Sequence, residues 1–162
     1  MQYVMGIDPS INYTGYSILT YDGKLKDYGL VKTWKGSAKP SDSDRLKKLF
    51  LNIRSIWNDW TPDCVCIEDY QWRHTDLRGR NKDHLKKLIW AIGVCIVAIP
   101  EGCDVELVKP QQWKGTKNKQ RTIIECRAMF GLTKDLNNNA SDAIMIANHY
   151  VTQNFTQRKL PI

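Results

Sequence analysis

The chain has 162 residues, room for one domain with a sizeable core, and its 42 % hydrophobic and 25 % charged content excludes a disordered or low-complexity polymer. No run approaches the ~18 uninterrupted apolar residues of a membrane helix. The start, Met1-Gln2-Tyr3-Val4-Met5-Gly6, lacks the basic-then-apolar pattern of a signal peptide, so a cytoplasmic protein without a membrane partner is expected, and a net charge of +7 suits a polyanionic partner.

Residues 2–8 read as a first strand ending on Asp8. Residues 14–21 follow a Pro-Ser-Ile-Asn-Tyr turn as a second strand. Asp22-Gly23 is a hairpin signal that returns the chain through residues 25–32 as a third. A polar loop containing Gly36 and Pro40 leads to Ser43, the expected N-cap of a helix. Leu46, Leu49, Phe50, Ile53, Ile56, Trp57 and Trp60 share one face of it, and Pro62 ends it. Residues 63–68, short and rich in Cys and Val, read as an interior strand reached through a helical crossover. A polar, basic and aromatic stretch, 70–82, precedes a second helix over 82–98. Its later turns are apolar nearly all round, so the sheet and a second subunit should cover it between them. Gly93 in its middle costs about 1 kcal/mol against Ala, which suits a tight crossing at a dimer interface. Residues 105–108 read as a strand ended by Pro110, 114–120 as a basic loop, and 121–130 as a helix with Gly131 as C-cap. A last helix is expected over 140–155, entered through Asn137-Asn138-Asn139. The order β-β-β-α-β-α-β-α-α predicts an α/β fold, a five-stranded mixed sheet with three antiparallel and then two parallel strands, flanked by helices. One domain is expected over residues 1–155, with 156–162 a frayed tail.

Cys64, Cys66, Cys95, Cys103 and Cys126 are odd in number and contain no C-x-x-C pair. They read as reduced packing residues, not as a zinc site or a disulfide frame. The chemistry lies instead in three carboxylates, Asp8, Glu68 and Asp142, each at the boundary of a predicted element. Ending an apolar strand on a charge serves stability poorly, because an unpaired buried charge is costly. Brought together, the three would make an all-oxygen cage, the ligand set preferred by hard cations such as Mg²⁺. Each has a plainer reading when taken singly. Asp8 can open the turn at Pro9, Glu68-Asp69 can be a solvated strand end, and Asn139 with Asp142 can be a helix N-cap with an acidic first turn. The coincidence of all three favours the cage. Tyr70, Trp72, Arg73, Arg78, Arg80 and Lys82, and then Lys114, Lys117, Lys119 and Arg121, offer aromatic and cationic groups to nucleic-acid bases and phosphates. A solvated basic loop is the commoner meaning of such runs. His74, His84 and His149 are scattered and form no ligand pattern.

Gly6-Ile7-Asp8-Pro9-Ser10 followed by Thr14-Gly15-Tyr16, Ile67-Glu68 closing the fourth strand, and Asn139-Ala140-Ser141-Asp142-Ala143-Ile144 opening the last helix resemble the RuvC-type Holliday junction resolvases, of ribonuclease H-like fold. The likeness runs over roughly the first 150 residues, an ordinary domain length, and the short chain looks like a phage-encoded member. The resemblance implies a metal-dependent, structure-selective DNA endonuclease that resolves four-way junctions by paired incisions and works as a homodimer. It implies two Mg²⁺ ions per active site, with Mn²⁺ as the alternative. Asp8 would bridge both ions, and Glu68 and Asp142 would ligate one each. Asn139 would stand at the fourth ligand position, where the family usually has Asp or His. Lys117 or Lys119 would meet the scissile phosphate, and an aromatic beyond Glu68 would pack into the opened junction. No nucleotide cofactor is expected. The phosphate loop of actin-like and sugar-kinase proteins, which Gly6-Ile7-Asp8 and Thr14-Gly15 also resemble, needs two such lobes, and this chain has one. Two further readings stay open: a non-catalytic nucleic-acid-binding module on the same fold, and a broader debranching nuclease acting on flaps and forks.

Overall fold

The computed structural model describes residues 2–38, 40–70, 82–132 and 135–156. Strands β1 (Tyr3–Asp8), β2 (Tyr13–Thr20), β3 (Leu25–Lys32), β4 (Cys64–Glu68) and β5 (Asp104–Val108) form one sheet in the order β3-β2-β1-β4-β5. The first three strands are antiparallel neighbours, and β1, β4 and β5 run parallel, as the sequence pattern predicts. Helix α1 (Asp42–Trp60) carries the chain from β3 to β4, and α2 (Lys82–Ala98) precedes β5. Helices α3 (Pro110–Trp113), α4 (Lys119–Phe130) and α5 (Asn138–Val151) follow, then a π turn over Thr152–Thr156. No described helix is long and apolar enough to cross a membrane.

Several boundaries differ from expectation for identifiable reasons. Ser41, not Ser43, caps α1: its hydroxyl accepts the Asp44 N–H at 3.1 Å, and Asp42 and Asp44 sit in the first turn, where the helix dipole favours carboxylates. Pro110 does not merely end β5. It opens α3 at a position where its missing N–H costs nothing. Helix α4 begins two residues early because the Asn118 side chain accepts the Arg121 N–H at 2.9 Å, while Gly131 caps its C-terminus as expected. Helix α5 gives way to the π turn at Thr152, where Phe155 stacks on Tyr21 with ring centroids 4.1 Å apart.

The strands alternate their side chains between two helical layers. Val4, Leu19, Cys64 and Cys66 face α5, whereas Met5, Ile7, Ile18, Val65 and Ile67 face α1 and α2. Cys64, Cys66, Cys95 and Cys126 are buried free thiols, the packing role expected of them. Helix α5 lies unusually close to the sheet. A Cβ at Gly6 would sit on the Ala143 carbonyl oxygen, and one at Gly15 on that of Asn139. Ser17 exploits the same approach, donating its hydroxyl to the Ala143 carbonyl at 2.9 Å. On the opposite layer Arg45, only 1 % exposed, pairs with Asp42 at 2.8 Å and donates to Asn12. It thereby ties α1 to the turn that follows Asp8, and Lys87 of α2 joins the same Asp42 at 3.3 Å. Gly93 makes no tight crossing within the fold: it is exposed, and a Cβ there meets nothing within 4 Å.

Gly6→Ala is therefore expected to destabilise by about 1–3 kcal/mol through overpacking, a fall in Tm of roughly 3–10 °C for a domain of this size. Gly93→Ala should stabilise by up to about 1 kcal/mol from helix propensity alone. Thermal and urea denaturation of the two variants checks both signs.

Candidate active site

Asp8 is the last residue of β1 and Glu68 the last of its parallel neighbour β4, so both carboxylates leave the sheet at the same edge. In open α/β sheets, ligands gather beyond the carboxyl ends of parallel strands. Asp142 comes from the second turn of α5 and is 7 % exposed. The close seat of α5 on Gly6 and Gly15 brings it to the same place. All three line one cleft of about 960 Å³, together with Asn139, Ser10 and His84, and with a rim of Lys114, Lys117 and Lys119.

Charge in this cleft is crowded. Burial first, then the charge and hydrogen bond of Glu68 and the charge of Asp142, hold the Asp8 carboxyl well above the usual carboxylate range; Lys114 opposes the rise. Burial also raises Glu68, although its hydrogen bond with Asp8 favours its ionised form. Asp142 is raised by burial and lowered by Lys114, whose Nζ lies 3.1 Å from Asp142 Oδ2. The other oxygen, Asp142 Oδ1, is buried with no hydrogen-bond partner among the described residues. Among those residues no three Asp, Glu, His or Cys side chains converge tightly enough to enclose an ion as they stand. The cage expected from sequence is thus an open one: like charges repel, Asp8 and Glu68 share a hydrogen bond, and Asp142 leans to Lys114. The donor set still fits a hard divalent cation. It is all oxygen, it exceeds its local counter-charge, and it leaves one buried carboxylate oxygen orphaned.

The other expected site residues divide. Asn139 lines the cleft, but its Nδ2 donates to the Tyr13 carbonyl, so its own oxygen is what it can offer a cation. Lys117 is bound to Glu125 at 2.6 Å, and the same carboxylate holds Arg121 at 3.0 Å. Arg121 does not line the cleft. Lys119 adds its positive charge at Asp142. Tyr70 packs against the core layer of α1 and α2, and Lys82 is exposed at the start of α2; neither lines the cleft. Trp72, Arg73, Arg78 and Arg80 lie outside the described residues. Sequence reasoning missed the direct contact of Lys114 with Asp142, the buried Trp113 beside it, and the place of His84 on the cleft wall. Pro110 was the available signal for the first two, because a helical turn starting there swings residues 113 and 114 under α5.

A family model described as crossover junction endodeoxyribonuclease RuvC matches residues 4–150. The RuvC of Chlamydia felis is 31 % identical over 147 residues, covering 87 % of this chain and 85 % of that protein. The RuvC of Chlamydia caviae is 30 % identical over 152 residues with the same coverage. Among solved structures, T. thermophilus RuvC in complex with Holliday junction substrate superposes with a TM-score of 0.76 at 22 % identity, covering 94 % of this chain and 95 % of that one. A fowlpox virus resolvase bound to Holliday junction DNA gives 0.59 at 14 % identity, covering 94 % and 98 %. At such identities the structural likeness speaks for the fold.

The raised carboxyls set a pH dependence. Unfolded Asp and Glu titrate near ~4, and the folded groups titrate higher, so the folded state binds more protons in the window above ~4. Stability in chelator should then fall as pH rises from about 4 through the raised values. Asp8→Asn should flatten that slope and raise Tm at pH 8 by about 3–8 °C. Thermal melts from pH 4.5 to 8.5 in EDTA measure it, and a wild-type stability that climbs across this range would contradict it.

Proposed function

The chain belongs to the RuvC family of crossover junction endodeoxyribonucleases, and on that premise we propose that it resolves four-way DNA junctions by paired, Mg²⁺-dependent incisions. Each active site takes two ions, with Mn²⁺ as the alternative, and the enzyme acts as a homodimer in the cytoplasm. What supports this is one observation above all: carboxylates from β1, β4 and α5 meet in a single cleft rimmed by lysines. Three clustered carboxylates repel a DNA phosphate, and with Lys114 the lysine in ion-pair contact with them among the described residues, bound divalent cations are what would let the phosphate in.

Asp8, Glu68 and Asp142 would hold those cations, with the Asn139 oxygen at the fourth position. Bound there, divalent ions supply an activated water and charge stabilisation for the leaving 3′ oxygen. The protein's own groups do the rest. Lys114 and Lys119 bring positive charge to the Asp142 side of the cleft, where the scissile phosphate would dock. Between the two loop lysines, Lys119 suits the phosphate better, because Lys117 is occupied in fixing the loop to Glu125.

The second subunit is supported by apolar surface. Ile89, Gly93 and Val97 stack at i, i+4 and i+8 on the outer side of α2, with Val97 63 % exposed. Val105 and Leu107 of edge strand β5, in register with Val65 and Ile67, add exposed apolar area on the same side of the sheet. Gly93, open in the single chain, gives a partner helix room to approach. A C2 pair would present two cutting sites to the two symmetric strands of a junction.

Asp8→Asn should lower cleavage of a synthetic four-way junction in Mg²⁺ by at least ~10³-fold while junction affinity, read by gel shift, stays within a few-fold; full activity in that variant would defeat the assignment. Val97→Glu should shift the mass seen by light scattering from dimer to monomer and convert paired incisions into single nicks. An unchanged dimer would place the interface elsewhere.

A further inference from the structure

Trp113 ends α3 and is 8 % exposed. It belongs to the core layer beneath α5, alongside Cys66, Val108, Ala140 and Ile144. Such a position is cheapest to fill with Phe or Leu, because a buried donor that lacks a full partner is destabilising. The Trp113 indole N–H is such a donor: it is buried with no hydrogen-bond partner among the described residues. Two neighbours give the indole a purpose. Lys114 Nζ lies 5.0 Å from the ring centroid, within cation–π range, and the same ammonium reaches Asp142 Oδ2 at 3.1 Å.

We propose that Trp113 is a positioning residue of the catalytic centre: its ring holds Lys114 beside Asp142. A single core side chain thereby sets the ammonium and, through it, the Asp142 carboxylate before DNA arrives. Without the ring, the flexible Lys114 stem is free to swing across the cleft towards Asp8 and Glu68, where it would compete with incoming cations. Groups that orient metal-binding side chains in this way typically alter metal affinity or activity by roughly 10–100-fold when removed. The inference rests on the reading of Glu68 and Asp142 as cation ligands.

Full-length wild type, Trp113→Phe, Trp113→Leu and Asp8→Asn separate the two ideas. Mn²⁺ affinity is measured calorimetrically without DNA, cleavage of a four-way junction under single-turnover conditions, and Tm in chelator. Trp113→Phe keeps a ring face and loses the N–H. It should stay close to wild type in Mn²⁺ affinity and cleavage rate. Trp113→Leu, lacking the ring, should bind Mn²⁺ roughly 10-fold more weakly and cut roughly 10-fold more slowly, with the junction concentration for half-maximal rate unchanged. Wild-type Mn²⁺ affinity and rate in Trp113→Leu would overturn the proposal, and so would losses in Trp113→Phe as large as those in Trp113→Leu, because the retained ring would then do nothing for Lys114. If instead wild type binds no Mn²⁺ and Asp8→Asn cuts normally, the nuclease reading has failed and the Trp113 proposal falls with it.

Discussion

At Gly6, Gly15 and Ser17 the backbone of α5 rests directly on β1 and β2, with no layer of side chains between them. Asn139 adds a hydrogen bond from the first turn of the helix to the Tyr13 carbonyl. A helix seated on side chains can rock as rotamers adjust, whereas one seated on backbone has little freedom to move. Asp142 is therefore carried at a fixed height above the ends of β1 and β4. The meeting of carboxylates that are 60 to 134 positions apart in the chain depends on these small residues more than on any polar contact in the cleft.

The same seat places the protein under electrostatic tension. Three carboxylates are drawn into a partly buried cleft, with Lys114 as the ammonium in direct ion-pair contact. Bringing like charges together out of water opposes folding. The protein distributes that cost through the Asp8–Glu68 hydrogen bond and the Lys114–Asp142 pair. Neither contact is a stability device in the ordinary sense, since apolar residues at these positions would pack with less penalty. Their persistence is intelligible as readiness for cations and, through cations, for phosphate.

Much of this was legible in the sequence because strand and helix periodicity are strong local signals. The three opening strands, the two parallel ones and the ranges of β3 and α2 follow directly from alternation, the Asp22-Gly23 turn and the apolar helix faces. Asp8 and Glu68 were legible for a related reason: a charge that closes an apolar strand is anomalous wherever it occurs. What escaped depends on long-range geometry. Ser41 and Ser43 are equivalent as local signals, and the anchoring of Asp42 and Arg45 to Lys87 and Asn12 accompanies the earlier start. Nothing in the spacing of Lys114, Lys117 and Lys119 reveals which reaches a carboxylate, because α3 sets their directions. Arg45 reads as a surface helix residue, yet it is buried by a contact 33 residues away. Gly93 has nothing within 4 Å of where a Cβ would stand, so no contact among the described residues accounts for it.

Strand β5 closes one edge of the sheet with Asp104, Val105, Glu106 and Leu107 all exposed. Alternation puts the two acids on one face and the two apolar residues on the other. Edge-to-edge pairing of two copies along β5 would bring acidic side chains of the same strand into line, a mismatch that natural sheets use to discourage uncontrolled strand addition. The apolar pair, by contrast, invites contact from the side. The border of the sheet is thus asymmetric: it resists open-ended, fibre-like growth while permitting a closed, finite assembly.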